Sequence, residues 1–174
     1  MLLRCYIGQR LAAYYAQPSD LVVGYGKEIN FSRLWGEAHY RRLYRQQYEA
    51  QRGQWMTPVE LFRPYYSYCF ADYIAQDYLS TSDQVVAERI DVVELGAGRG
   101  TNADALMTRW KAKFPDLYEK LRYTVVDSSP TLHQLQQKVF GEGIHGDKVE
   151  VRLVDLTEVA EGRYVLKSIE RCGS

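Results

Sequence analysis

The stretch Ile90-Asp91-Val92-Val93-Glu94-Leu95-Gly96-Ala97-Gly98-Arg99-Gly100-Thr101 decides the fold. Its first six residues are a short, apolar, β-branched run, which predicts a buried strand of a parallel sheet. Alternating glycines end the run. Thr101 then opens a segment in which Ala105, Leu106 and Trp110 share one helical face. Gly96 and Gly98 permit positive φ and carry no side chain, so a ligand can lie against their backbone. The helix starting near Thr101 points its N-terminus at the same spot.

The pattern continues downstream. Tyr123–Asp127 reads as a second strand, and Ser129-Pro130 as the cap and first turn of a helix with Leu132, Leu135 and Val139 inward. Gly141, Gly143 and Gly146 mark a loosened loop, and Val149–Val154 reads as a third strand, closed by Asp155. The alternation predicts right-handed crossovers and a parallel α/β sheet. Phe114-Pro115-Asp116-Leu117-Tyr118 reads as an insertion between the first helix and the second strand.

Ligands of open α/β sheets bind outside the carboxyl ends of the strands. Here each strand delivers an acid at that end: Glu94 for an amine or amino-acid moiety, Asp127 for a ribose diol, and Asp155 for an exocyclic adenine amine. The glycine spacing separates the ligand classes. No lysine follows as in a triphosphate-binding loop, and Thr101 stands where the dinucleotide fingerprint needs its third glycine.

Upstream, the chain reads as helical. Residues 1–20 have Arg4 and Arg10 but no acid before Asp20, with Leu2, Leu3, Ile7 and Leu11 on one face; this fits either a transit peptide or a plain first helix. A helix is predicted from Ser32, as N-cap, to about Arg52, with Tyr40, Tyr44 and Tyr48 along one face. Its arginines and tyrosines suit either an RNA or partner surface or a packed face with solvated charges; the neutral net charge favours packing. Thr57-Pro58-Val59-Glu60 has the form of a helix start with Glu60 closing a capping box. After a break at Pro64, Tyr66, Cys69, Phe70, Tyr73 and Ile74 predict a helix over 64–79. Ser80-Thr81-Ser82-Asp83 is the expected boundary, which divides the chain into a lid-like helical region, 1–82, and a sheet domain, 83–174.

Composition supports this reading. The 174 residues carry 22 Lys plus Arg against 22 Asp plus Glu, which argues against a general nucleic-acid or anionic-membrane binder. No run approaches the ~20 apolar residues of a membrane span. Cys5, Cys69 and Cys172 make no metal or disulfide framework and suggest a reducing compartment. His39, His133 and His145 share no metal-ligand spacing, and no metal site is expected.

The Glu94-x-Gly96-x-Gly98-x-Gly100 pattern resembles motif I of class I methyltransferases that use S-adenosylmethionine. Asp127 and Asp155 stand where such enzymes hold the ribose and the adenine. The resemblance implies a cofactor-binding set of Glu94, Gly96, Ala97, Gly98, Asp127, Ser128, Asp155 and Leu156. More narrowly, Ile29-Asn30-Phe31-Ser32-Arg33, Thr57-Pro58-Val59-Glu60, the glycine motif and Val126-Asp127-Ser128-Ser129-Pro130 are similar to the N-terminal half of the MidA-like family. That family includes the mitochondrial arginine methyltransferase that assists respiratory complex I assembly. The resemblance implies a class I Rossmann-like parallel sheet preceded by helices, methyl transfer to a protein arginine, and a mitochondrial location. The family's fourth-strand motif is not found before Ser174, and only three strands are read where the family fold has seven. The chain is therefore expected to be a front half with an exposed apolar edge on its first strand, calling for a partner or a missing half. The alternative is a shortened, inactive relative that serves as a partner-binding or assembly module.

Overall fold

The computed structural model describes residues 3–17, 22–24, 27–50, 56–81 and 88–163. The helical part holds α1 (Leu3–Tyr15), a 3-10 turn at Phe31–Arg33, α2 (Glu37–Ala50), α3 (Pro58–Leu61) and α4 (Tyr65–Thr81). The sheet part follows as β1 (Ile90–Leu95), α5 (Thr101–Lys113), α6 (Pro115–Lys120), β2 (Leu121–Asp127), α7 (Pro130–Gly141), β3 (Val149–Leu153) and α8 (Leu156–Ala160). The three strands pair in parallel in the order β1-β2-β3. Register sets Glu94 opposite Val125 and Asp127 opposite Leu153, so the strand ends fall side by side. The class I methyltransferase-like plan, helices followed by a parallel sheet, is the observed one.

One core joins the two parts. Ile90 and Val92 of β1 and Tyr123 and Val125 of β2 meet Leu106, Met107 and Trp110 of α5, and α4 closes over them with Ala71 and Ala75. Trp110 is fully buried, and its indole N–H donates to the Ala71 carbonyl at 2.8 Å. Asp72 accepts from Arg109 Nε at 3.0 Å and from its Nη2 at 2.8 Å, and Lys113 adds a contact of 2.7 Å. These cations hold the Asp72 carboxyl well below the usual carboxylate range.

Several local expectations need correction. The aromatic residues of α4 do not form its buried stripe: Phe70 is 45% and Tyr73 69% exposed, while Ser67, Ala71 and Ala75 face inward. Small residues let α4 approach α5 closely enough for the indole bond, which bulky rings would prevent. The helix expected from Ser32 begins at Glu37. Asn30 caps a separate turn by accepting from the Ser32 N–H, so the Asx residue captures the backbone before Ser32 can. Tyr40, Tyr44 and Tyr48 do stack, with ring centroids 6.0 and 4.8 Å apart. Ser80 and Thr81 belong to α4, where their hydroxyls donate back to the Asp77 carbonyl and so find a partner within the helix; Ser82 and Asp83 lie outside the described residues. In α7 the buried residues are Leu132, Gln136 and Phe140, whereas Val139 is 38% exposed.

The 114–118 insertion folds as α6 and delivers Tyr118 to a buried cluster. Its hydroxyl lies 2.7 Å from His145 Nδ1, and Thr108 Oγ1 lies 3.1 Å from Nε2. The loop expected to be loose therefore carries a buried histidine. A Cβ on Gly146 would sit 2.6 Å from the Phe140 carbonyl, so that glycine answers to tight packing. At the other side of the sheet, β1 is the edge strand among the described residues, with Val93 47% and Leu95 54% exposed.

Replacing Trp110 with Phe removes the indole donor while the Ala71 carbonyl keeps its helical partner in α4, and is expected to cost about 0.5–1.5 kcal/mol in urea unfolding. Trp110→Ala adds a cavity and is expected to cost about 3–5 kcal/mol. Equal midpoints for wild type and Trp110→Phe would remove the indole bond from the account of the core.

Candidate active site at the carboxyl end of the sheet

The turn between β1 and α5 is the centre of the site. Gly96, Gly98 and Gly100 have φ of 72°, 57° and 82°, a left-handed conformation that residues with a Cβ rarely adopt. Gly100 is also sterically closed, since a Cβ there would lie 2.9 Å from the Phe140 ring. Gly96 and Gly98 are the opposite case: an added Cβ would meet no atom of the described residues within 4 Å. Among the described residues, two bare α-carbons thus face open space beside the strand ends.

The neighbouring strand holds the turn in place. The Gly96 N–H donates to the Val126 carbonyl at 2.8 Å. Asp127 is 6% exposed; its Oδ2 accepts from the Gly98 N–H at 3.1 Å and its Oδ1 from the Ser129 N–H at 3.0 Å. Gln136, fully buried on α7, donates to the Gly98 carbonyl at 2.7 Å. Ala97 is buried in the core below. Ser128 is exposed beside Asp127. The Val154 N–H donates to the Asp127 carbonyl at 3.0 Å, which brings the next residue, Asp155, to the same end of the sheet. Asp155 is exposed and caps α8, where the Thr157 N–H and hydroxyl hold its carboxyl below the usual range. Leu156 is the first residue of α8.

Glu94 is placed differently. It shares the α5-facing side of β1 with Ile90 and Val92, and both its oxygens are engaged: Asn102 Nδ2 donates at 3.0 Å and the Tyr123 hydroxyl at 2.9 Å. Burial pushes the Glu94 carboxyl up, against the two hydrogen bonds. Burial and the adjacent carboxylate raise Tyr123 as well, so the phenol remains a donor.

The helical region reaches the site at three points. Ser129 Oγ donates to the Tyr15 carbonyl at 2.7 Å, Arg99 Nη1 to the Val23 carbonyl at 3.3 Å, and Val22 and Val23 pack on Leu132. The third contact was expected to be local. Thr57 does cap α3, accepting from the Glu60 N–H at 3.4 Å, but Glu60 does not reach back to complete a capping box. Its Oε1 instead accepts from Thr101 Oγ1 at 2.5 Å, at the start of α5. Glu60 is 2% exposed, and desolvation raises its carboxyl. Gln136, Asn102 and Tyr123 also escape a sequence reading, because each acts through a contact distant in the chain; only Glu60 carried a signal, an acid beside a predicted helix start.

Residues 69–169 match the family described as "Putative S-adenosyl-L-methionine-dependent methyltransferase", and the chain belongs to that family. A solved structure from Burkholderia thailandensis, described as a "likely methyl transferase" bound to S-adenosyl-homocysteine, shares the fold at 20% identity and a TM-score of 0.50. The match covers 87% of this chain and 36% of that one, so the chain spans just over a third of that protein's length. No curated protein matches the chain.

The raised Glu94 carboxyl has a testable sign. The folded state holds this proton more tightly than the unfolded state, so its contribution to stability is full below the usual carboxylate pKa and is lost as pH rises through the raised value. Between pH 5 and pH 8, at about one-unit steps, the unfolding free energy of wild type is expected to fall relative to Glu94→Gln. A difference that does not vary with pH would show that Glu94 is ionised at no cost.

Proposed function

We propose that the carboxyl end of the sheet binds S-adenosylmethionine and that the chain serves methyl transfer to a protein side chain. The observation that carries this reading is the pair of bare α-carbons, Gly96 and Gly98, facing open space within reach of Asp127. A carboxylate has about four acceptor positions, and Asp127 uses two on backbone N–H groups. The remaining two suit a ribose diol. In this reading Gly96, Ala97 and Gly98 present backbone to the ligand, Ser128 flanks the ribose, and Asp155 with Leu156 borders the adenine. Glu94 braces the turn from below through Asn102 and Tyr123.

The bound cofactor supplies an activated methyl group on a sulfonium centre. Displacement there needs positioning and exclusion of water more than acid–base chemistry. The turn and Asp127 position; Tyr15, Val22 and Val23 shield the side that the helical region covers. The resemblance to the MidA-like family supports a protein arginine as acceptor and a mitochondrial role in complex I assembly. The second reading is a partner-binding module without turnover, favoured by the exposed Val93 and Leu95 on the edge strand.

Calorimetric titration with S-adenosylhomocysteine separates the two. Micromolar binding is expected from the wild-type chain, abolished in Gly96→Arg while circular dichroism stays unchanged. A flat titration from a folded sample would overturn cofactor binding and leave the partner-binding reading.

A further inference from the structure

Resting on that reading, we infer that Glu60 recognises the amino-acid end of the ligand, with Arg63 and Arg99 beside it. An amino-acid zwitterion needs a carboxylate for its ammonium and cationic or N–H donors for its own carboxylate. Glu94 is the acid of the glycine motif, and each of its oxygens already has a protein donor, Asn102 or Tyr123, on the α5 side of β1. Glu60 differs in having one oxygen with no donor from the described residues. Its Oε1 is held by Thr101 at 2.5 Å, while its buried Oε2 accepts no hydrogen bond from the described residues; Arg63 Nη1 lies 4.0 Å away. A buried carboxylate oxygen left in this state is costly unless a donor arrives.

The surroundings match the other half of a zwitterion. Thr101 immediately follows the turn and begins the 13-residue α5, whose N-terminus favours negative charge. A cavity of about 260 Å³ adjoins Thr101, lined by the cations Arg63 and Arg99, the acid Asp104, and Gly100, Leu135 and Val139; Glu60 stands behind Thr101 and is not part of its wall. Arg99 keeps its bond to the Val23 carbonyl, and a guanidinium has five N–H donors to share. Glu60 and Arg63 come from the helical region, and Arg99 and Thr101 from the sheet part. The ligand's amino-acid end would therefore tie the two together.

The test compares S-adenosylhomocysteine with 5′-methylthioadenosine, which lacks the amino-acid end, by calorimetry on the full chain. Wild type is expected to bind S-adenosylhomocysteine at least about tenfold more tightly, the scale of one hydrogen bond to a charged group. Glu60→Gln is expected to lose that preference, the two affinities falling within about threefold of each other. Thr101→Ala frees Oε1 but keeps the carboxylate, and is expected to retain the preference; it serves if Glu60→Gln does not fold. Equal binding of the two ligands by wild type would overturn the role of Glu60 and leave cofactor binding standing. So would a Glu60→Gln variant that weakens both ligands equally, which marks a structural role. Binding of neither ligand by folded wild type would overturn the cofactor reading, and this inference with it.

Discussion

The site depends on how the Gly98 peptide is held. Within this turn of left-handed glycines, the Gly98 N–H and C=O bond to side chains rather than to a helix or strand backbone. Buried and unpaired, such groups would each cost on the order of 1–3 kcal/mol. Asp127 satisfies the N–H and Gln136 the carbonyl. Asp127 reaches Gly98 only because β1 and β2 run parallel with Leu95 opposite Val126, which places the end of β2 beside the start of the turn. Gln136 reaches it only because Ser129 and Pro130 start α7 directly after β2. Strand register, helix cap and turn conformation are thus one constraint, and the open space over Gly96 and Gly98 is its consequence.

What could be read from the chain follows the range of the interactions. The strands, the positive-φ turn and the caps at Thr57 and Ser129 depend on residues within a few positions of each other, and they stand where the sequence places them. The inward face of α4 was not legible. Its aromatic spacing predicts a helix and not which face is buried; that face is chosen by Trp110, 39 residues away from Ala71. Glu60 was misread for the same reason. Its local pattern fits a capping box, and its actual partner is 41 residues downstream. Gln136 has no local signal, since a glutamine in a helix ordinarily faces water.

A buried glutamate, Glu60, and a half-buried one, Glu94, frame the turn in unequal states. Both are raised by desolvation, which disfavours their charge. Glu94 offsets that cost with two donors from its own neighbourhood, one on α5 and one on β2. It behaves as a strut between helix and sheet. Glu60 has one donor and an oxygen without another. A ligand contact at Glu94 would share oxygens that already have protein donors. At Glu60 one oxygen has no such donor among the described residues, and this asymmetry is why the acid outside the glycine motif is the stronger candidate for a charged ligand group.

The same contacts give the helical region a role beyond covering the sheet. Tyr15, Val23 and Glu60 belong to three separate segments, and each touches a residue at the carboxyl end of the sheet: Ser129 at the cap of α7, Arg99 in the glycine turn and Thr101 at the start of α5. All three contacts are hydrogen bonds to groups at the carboxyl end of the sheet, and beside them, among the described residues, Val22 and Val23 pack on Leu132 with Tyr14 and Tyr15 alongside. The region is anchored to the sheet part elsewhere, where α4 closes on α5 through Ala71, Ala75 and Trp110. Apolar packing therefore fixes the helical region at α4, and polar contacts carry it to the carboxyl end of the sheet.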